Sequence, residues 1–232
     1  MAAFGRESKT VSRRSLWKIA GISLTVLGLF AVLGYRHLSP PLDSPHLPLS
    51  ASQTRPLVME GGNPYIRALM RTITVSEAND PQPYAILYGG KYFQDFTRHP
   101  QRCVPIVTPP NLGNCSTAAG RYQFLDITWA EKAARYHPQG KTGFLWWKTY
   151  SFAPEYQDAV VHAWLSDPNA WGVDIPKLLR QGKIHEVLRL LSGTWTSLGY
   201  GIETNSASKH LPSIYQKVLQ EELAHSQQAR SR

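Results

Sequence analysis

Residues Asn63 to Asp80 constrain the fold more than any other stretch of the chain. Asn63 suits a helix N-cap, and Pro64 suits the first helical turn. Ile66, Leu69, Met70 and Ile73 fall at i, i+3, i+4 and i+7, which predicts a helix with one apolar stripe. Glu77 follows Ile66 by eleven residues. At about 100° per residue that is three turns plus roughly 20°, so Glu77 continues the stripe. Asn79, Asp80 and Pro81 then stop the helix. A lone acid at the inner edge of a buried face has two readings. Glutamate at a helix end is ordinarily solvated. Partial burial and the negative helix end would instead raise its pKa and keep it protonated, as a general acid requires.

The rest of the chain can build a core around this helix, since seven Trp and eleven Tyr are available. The formal charge of +9 is unevenly spread. Arg6, Lys9, Arg13, Arg14 and Lys18 face only Glu7 near the N-terminus. Between Gly61 and His225, Lys and Arg outnumber Asp and Glu by only 16 to 13. No basic run interleaved with aromatics suggests a nucleic-acid surface, so no nucleic-acid partner is expected. The small positive balance suits an anionic polymer, and solubility alone would also explain it.

Ile19 to Tyr35 carries no charge, and Leu16 and Trp17 extend it beyond Lys18 to a length near the minimum for a bilayer span. Basic residues are in excess before it, which places the N-terminus in the cytoplasm and the remainder across the membrane. The sequence therefore predicts a cytoplasmic N-terminus (1–15), a transmembrane signal-anchor (16–37), and an extracytoplasmic domain. A cleaved signal peptide is the competing reading, but no A-x-A-like site follows the apolar core closely. Gly21, Gly28 and Gly34 make the span only moderately hydrophobic, so an anchor able to leave the bilayer is a further reading. Pro40, Pro41, Pro45, Pro48 and Pro56 mark residues 38–60 as an extended linker. A folded domain over 61–225 and a polar tail over 226–232 complete the division.

Within the domain, two aromatic-rich runs, Tyr84–Tyr88 and Lys91–Phe93, flank Gly89-Gly90 and predict a β-hairpin. Asp95 follows, as a second active-site carboxylate or as a turn cap. Cys103 and Cys115 flank a loop rich in Pro, Gly and Asn, and outside the cytoplasm they would pair. Metal binding is not expected, because no third or fourth ligand has suitable spacing. Small residues and Gly120 precede Arg121, Tyr122 and Gln123. Gln123 is a candidate for binding a substrate amide, or for tying two loops together. A helix reaches Tyr136, and another covers Ala153–Trp164 with Tyr156, Ala159, Val160, Ala163 and Trp164 buried and His162 exposed. Short helices ending at Gly182 and Gly193, a Gly-bracketed aromatic loop from Thr194 to Gly201, and an amphipathic helix through Leu219 follow.

The order and identity of several segments resemble the phage lambda-type endolysin family, whose members are peptidoglycan lytic transglycosylases. The matching residues are Ser76-Glu77; Gly89-Gly90 with Phe93, Asp95, Phe96, His99 and Pro100; Ala119 to Gln123; Gln157 to Val160; Trp195 with Ser197-Leu198; and Tyr200-Gly201. The resemblance covers roughly residues 61–220. It implies an α+β, lysozyme-like fold, mostly helical with a small β-hairpin lobe, here preceded by one transmembrane helix. It also implies Glu77 as the catalytic residue, and Ser76, Asp95, Tyr122, Gln123 and Tyr200 in substrate binding. Peptidoglycan glycan strands would be the partner, without metal or organic cofactor. Ala78 stands where the family pattern has Gly, and Ala85 where it has an acidic residue. The alternatives are a hydrolytic muramidase using Asp95 as second carboxylate, and an inactive peptidoglycan-binding module.

Overall fold

The computed structural model describes residues 54–231 except 110, 144–147 and 201–206. Contacts divide the chain into Met1–Ser44 and Pro45–Arg232, and all described residues lie in the second unit. The expected anchor over 16–37 lies outside the described residues. Among the described residues, no helix is long and apolar enough to cross a membrane.

Helix α1 (Pro64–Glu77) is the axis of the domain. Asn63 caps it by accepting from the Tyr65 amide at 3.0 Å. The apolar stripe is buried as expected, but the opposite face is buried too. That face carries Arg67 and Arg71, which are paired with Glu222 at 2.5 and 2.9 Å. Glu222 belongs to α7 (Leu211–Arg230), the helix that packs most extensively on α1. Two guanidiniums sharing one carboxylate make burial of all three charges tolerable. The polar tail expected over 226–232 is helical as far as Arg230, as the end of α7.

Residues 54–60, expected to belong to the linker, form a strap sewn onto the domain. Leu57 is buried in the core. The carbonyls of Arg55 and Pro56 accept from Arg121, and the amides of Val58 and Met59 donate to Asp158. Arg71 binds the Thr54 carbonyl and hydroxyl, and Arg67 binds the Met59 carbonyl. Buried arginines need acceptors, and an extended segment offers its carbonyls freely.

The expected hairpin reverses at Gly89-Gly90, with φ of 78° and 85°, but pairs through a single bridge, Ile86 to Tyr92. Its strands are shortened by 3₁₀ turns at Pro83–Ala85 and Tyr88–Gly90. Bridges from Leu87 to Ala119 and from Ala119 to Phe124 join this turn to the Ala119–Gln123 segment. The two-stranded sheet lies elsewhere. Strands β1 (Val104–Pro105) and β2 (Cys115–Ser116) pair antiparallel beside the Cys103–Cys115 disulfide.

Helices α2 (Asp126–Tyr136), α3 (Pro154–Ser166), α4 (Pro168–Trp171), α5 (Ile175–Arg180) and α6 (Ile184–Leu191) enclose the remaining core. Trp164, Trp171 and Trp195 form one aromatic cluster, with the Trp164 ring centroid 5.0 and 5.4 Å from the other two. The phase of α3 differs from expectation. Gln157, Asp158, Val161 and Leu165 are buried, while Tyr156, Ala159 and Ala163 are half-buried. His162, expected to be exposed, is half-buried and accepts from the Asn63 amide at 3.0 Å. Burial lowers its pKa, which favours the neutral ring that this hydrogen bond requires.

Candidate functional site

Glu77 is the last residue of α1 and is half-buried. The helix ends there because Ala78 leaves helical geometry, with φ −147° and ψ 57°, while its amide still reaches the Thr74 carbonyl. That φ is open to any residue, so alanine replaces the family's glycine without left-handed strain. Ala85 is buried in a 3₁₀ turn, and its carbonyl accepts from the Phe93 amide at 2.9 Å. A carboxylate at position 85 would have to be desolvated there.

The end of α1 meets the 3₁₀ turn Thr196–Leu198, where the Ser197 hydroxyl donates to Glu77 Oε1. The turn is held on both sides. Trp195 Nε1 donates to the Tyr122 carbonyl at 3.0 Å, and Ser208 Oγ donates to the Ser197 carbonyl at 2.8 Å. Beyond Glu77 the chain passes Asp80, which accepts from the exposed Tyr92 hydroxyl at 2.9 Å. This bond ties the Gly-Gly turn to the segment leaving α1.

The Ala119–Gln123 segment approaches from the other side. Gly120 has φ +73°, and a Cβ there would lie 2.3 Å from Gln157 Oε1 and 2.9 Å from Phe152 Cζ. Gly120→Ala is therefore expected to cost about 2–4 kcal/mol, combining left-handed strain with overpacking. Urea unfolding would measure this as a lower midpoint.

Arg121 is fully buried. It donates to Thr74 Oγ1 one turn before Glu77, to the Tyr84 hydroxyl, and to the strap carbonyls. The Tyr84 hydroxyl in turn donates to Asp158 Oδ2 at 2.7 Å. One polar network thus links the strap, the last turns of α1, the Ala119–Gln123 segment and α3. Burial and then the Asp158 charge push the Tyr122 phenol well up, so it stays a donor.

The expected site residues separate into groups. Glu77 stands at the meeting point of α1 and the Ser197 turn. Tyr122 must be corrected from substrate contact to core, since it is 0% exposed and its hydroxyl is spent on Asp158. Ser76 folds back on its own helix and donates to the Ile73 carbonyl at 3.0 Å. Gln123, at φ +46°, donates to the Gly120 carbonyl at 3.0 Å, within its own turn. Asp95 is exposed and caps a turn, accepting from the Thr97 amide at 2.9 Å and hydroxyl at 2.6 Å. These bonds hold its carboxyl below the usual range. Tyr200 is 39% exposed, with His185 Nδ1 at its hydroxyl and the Arg189 guanidinium over its ring. His99 is also structural. Its Nδ1 accepts from the Gln101 amide, which leaves the proton on Nε2 for the Phe124 carbonyl.

The Asp80–Tyr92 clamp, the bonds of Asp158, and the contact from Ser197 to Glu77 join residues distant in sequence, so no local pattern announces them. Two depressions of about 360 and 380 Å³ lie between Arg55–Val58 and Pro81–Ala85, and between Gly62–Tyr65 and the end of α7. Neither is lined by Glu77.

A mostly helical domain with a small two-stranded sheet is a lysozyme-like fold. The fold agrees with bacteriophage lambda lysozyme complexed with a chitohexasaccharide, at TM-score 0.50 and 22% identity, covering 69% of this chain and 97% of that one. The family profile described as Endolysin matches residues 67–221, more than half of the chain, so the chain belongs to the endolysin family. The endolysin of Escherichia phage lambda is 30% identical over 128 residues, which span 51% of this chain and 64% of that protein. The match thus spans somewhat less than two thirds of that relative's length.

Proposed function

We propose that the domain cleaves peptidoglycan glycan strands as a lytic transglycosylase, with Glu77 acting first as acid and then as base. The observation that carries this reading is the position of Glu77. It ends the central helix, its carboxyl is gripped by Ser197, and both residues lie inside the family match. The bond cut is the β-1,4 linkage between N-acetylmuramic acid and N-acetylglucosamine. Glu77 gives its proton to the glycosidic oxygen, the C1–O bond breaks, and the N-acetylglucosamine 4-hydroxyl departs. Positive charge develops at C1, assisted by the 2-acetamido group of the muramic acid. The 6-hydroxyl of the same sugar then attacks C1 and surrenders its proton to Glu77. The product is a 1,6-anhydro ring, and no water is consumed.

One carboxyl suffices for this sequence, whereas hydrolysis usually needs a pair. The role of Asp95 as an exposed turn cap supports the single-carboxylate reading. The exposed rings of Tyr92 and Tyr200 supply apolar faces on which sugars stack. The uncharged stretch 19–35 supports a membrane-anchored enzyme, with its N-terminus in the cytoplasm and its domain on the peptidoglycan side. The test is mass spectrometry of muropeptides released from purified sacculi. Products ending in 1,6-anhydromuramic acid are expected. Reducing muramic acid ends in their place would assign the chain to the hydrolytic muramidases.

A further inference from the structure

Resting on that reading of Glu77, we infer that Ser197 is a positioning residue, whose hydroxyl sets the orientation of the Glu77 carboxyl through both halves of the reaction. Ser197 is 8% exposed, so protein surrounds its side chain. A serine hydroxyl has one proton to donate, and here it goes to Glu77 Oε1. That oxygen can accept in either protonation state of the carboxyl, so the contact can persist while Glu77 loses and regains its proton.

The donor itself is fixed from three directions. Leu198 next to it is fully buried. Trp195 on the other side is bonded to the Tyr122 carbonyl, at the centre of the Ala119–Gln123 segment. The Ser197 carbonyl is held by Ser208, just before α7. Gly199 allows this approach. Its φ is +96°, and a Cβ there would lie 2.4 Å from Ser208 Cβ. The hydroxyl is therefore a rigid donor to the Glu77 carboxyl.

The contact also biases the charge. A hydroxyl bonded to a carboxylate is stronger than one bonded to a neutral acid. Ser197 thus favours the ionised form, which eases release of the proton to the glycosidic oxygen.

The experiment compares Ser197→Ala and Ser197→Thr with wild type, in the full chain, on peptide-free glycan strands across pH. Ser197→Ala is expected to lower kcat about tenfold or more while KM stays within about twofold. The alkaline limb of its rate profile should also move to higher pH. Ser197→Thr keeps a hydroxyl and is expected to recover most of the rate, with the limb at its wild-type position. An unmoved limb in Ser197→Ala would overturn the inference. So would equal impairment of Thr and Ala with one shared profile, because that marks a packing role only. Thermal melts of both variants separate misfolding from chemistry, and the limb position does not depend on the amount of folded enzyme. A Glu77→Gln chain that cleaves at the wild-type rate would remove the reading of Glu77, and this inference with it. An inactive Glu77→Gln beside an unaffected Ser197→Ala would overturn the Ser197 assignment alone.

Discussion

Asp158→Ala is expected to destabilise the domain by about 3–5 kcal/mol, the range for breaking a buried charge pairing by removing one partner. Asp158 is 0% exposed. Its carboxylate accepts from the Val58 and Met59 amides and from the Tyr84 and Tyr122 hydroxyls. Alanine would strand these donors and leave the buried Arg121 without its nearby counter-charge. A domain of this size has only about 5–15 kcal/mol of net stability, so the loss brings it close to unfolding. Asp158→Asn keeps the shape but turns part of an acceptor into a donor, and should fall between the two. Urea titration followed by near-ultraviolet dichroism would measure this, since Trp164, Trp171 and Trp195 report packing beside α3. A midpoint within experimental error of wild type would show that the network is not holding the fold. The strap gives the converse arrangement. A chain starting at Gly61 lacks Val58 and Met59, so it should melt below one starting at Thr54, with Asp158 and Arg121 again short of partners.

The sequence made α1 legible because its signal is local. A cap, a proline and an apolar period agree over one segment, and the structure follows them from Asn63 to Glu77. The other face of α1 was not legible. Arg67 and Arg71 look like solvated residues until Glu222, some 150 positions later, is brought against them. The same limit misled the reading of α3. Gln157 and Asp158 break an apolar pattern, and only the distant strap and Tyr84 explain their burial. The boundary at residue 61 failed for the same reason, since proline-rich sequence describes extended chain but not what its carbonyls touch. The family strings name candidate residues without orienting their side chains. Tyr122 and Gln123 are adjacent, yet one is wholly in the core and the other ties the turn at its edge. A left-handed Gly120 followed by Gln123 at positive φ sets those directions, and no periodicity announces them.

Glu77→Gln is expected to reduce cleavage of sacculi by about 10²–10⁴-fold, the span attributed to a positioned general acid and base. Glutamine keeps the length of the side chain and an Oε1 that can accept from Ser197, so the fold and the geometry of the turn should be retained. What it cannot do is give up a proton to a glycosidic oxygen or take one from a 6-hydroxyl. Glu77→Asp tests reach instead of chemistry. It keeps the carboxyl but withdraws it by one methylene, about 1.5 Å, from both Ser197 and the bond to be cut. A displacement of that size costs about 10²-fold, so Asp is also expected to be severely impaired. Release of soluble muropeptides measures rate, and co-sedimentation with sacculi measures binding. Both variants should sediment as the wild type does, because the proposed stacking on the exposed Tyr92 and Tyr200 does not require the carboxyl. If wild type and Glu77→Gln bind alike and neither releases muropeptides, the domain is a binding module and Glu77 is an ordinary helix-end acid. If Glu77→Gln retains more than about a tenth of the wild-type rate, proton transfer runs through another group. Asp80, three residues further along and already gripped by Tyr92, is then the first carboxylate to replace.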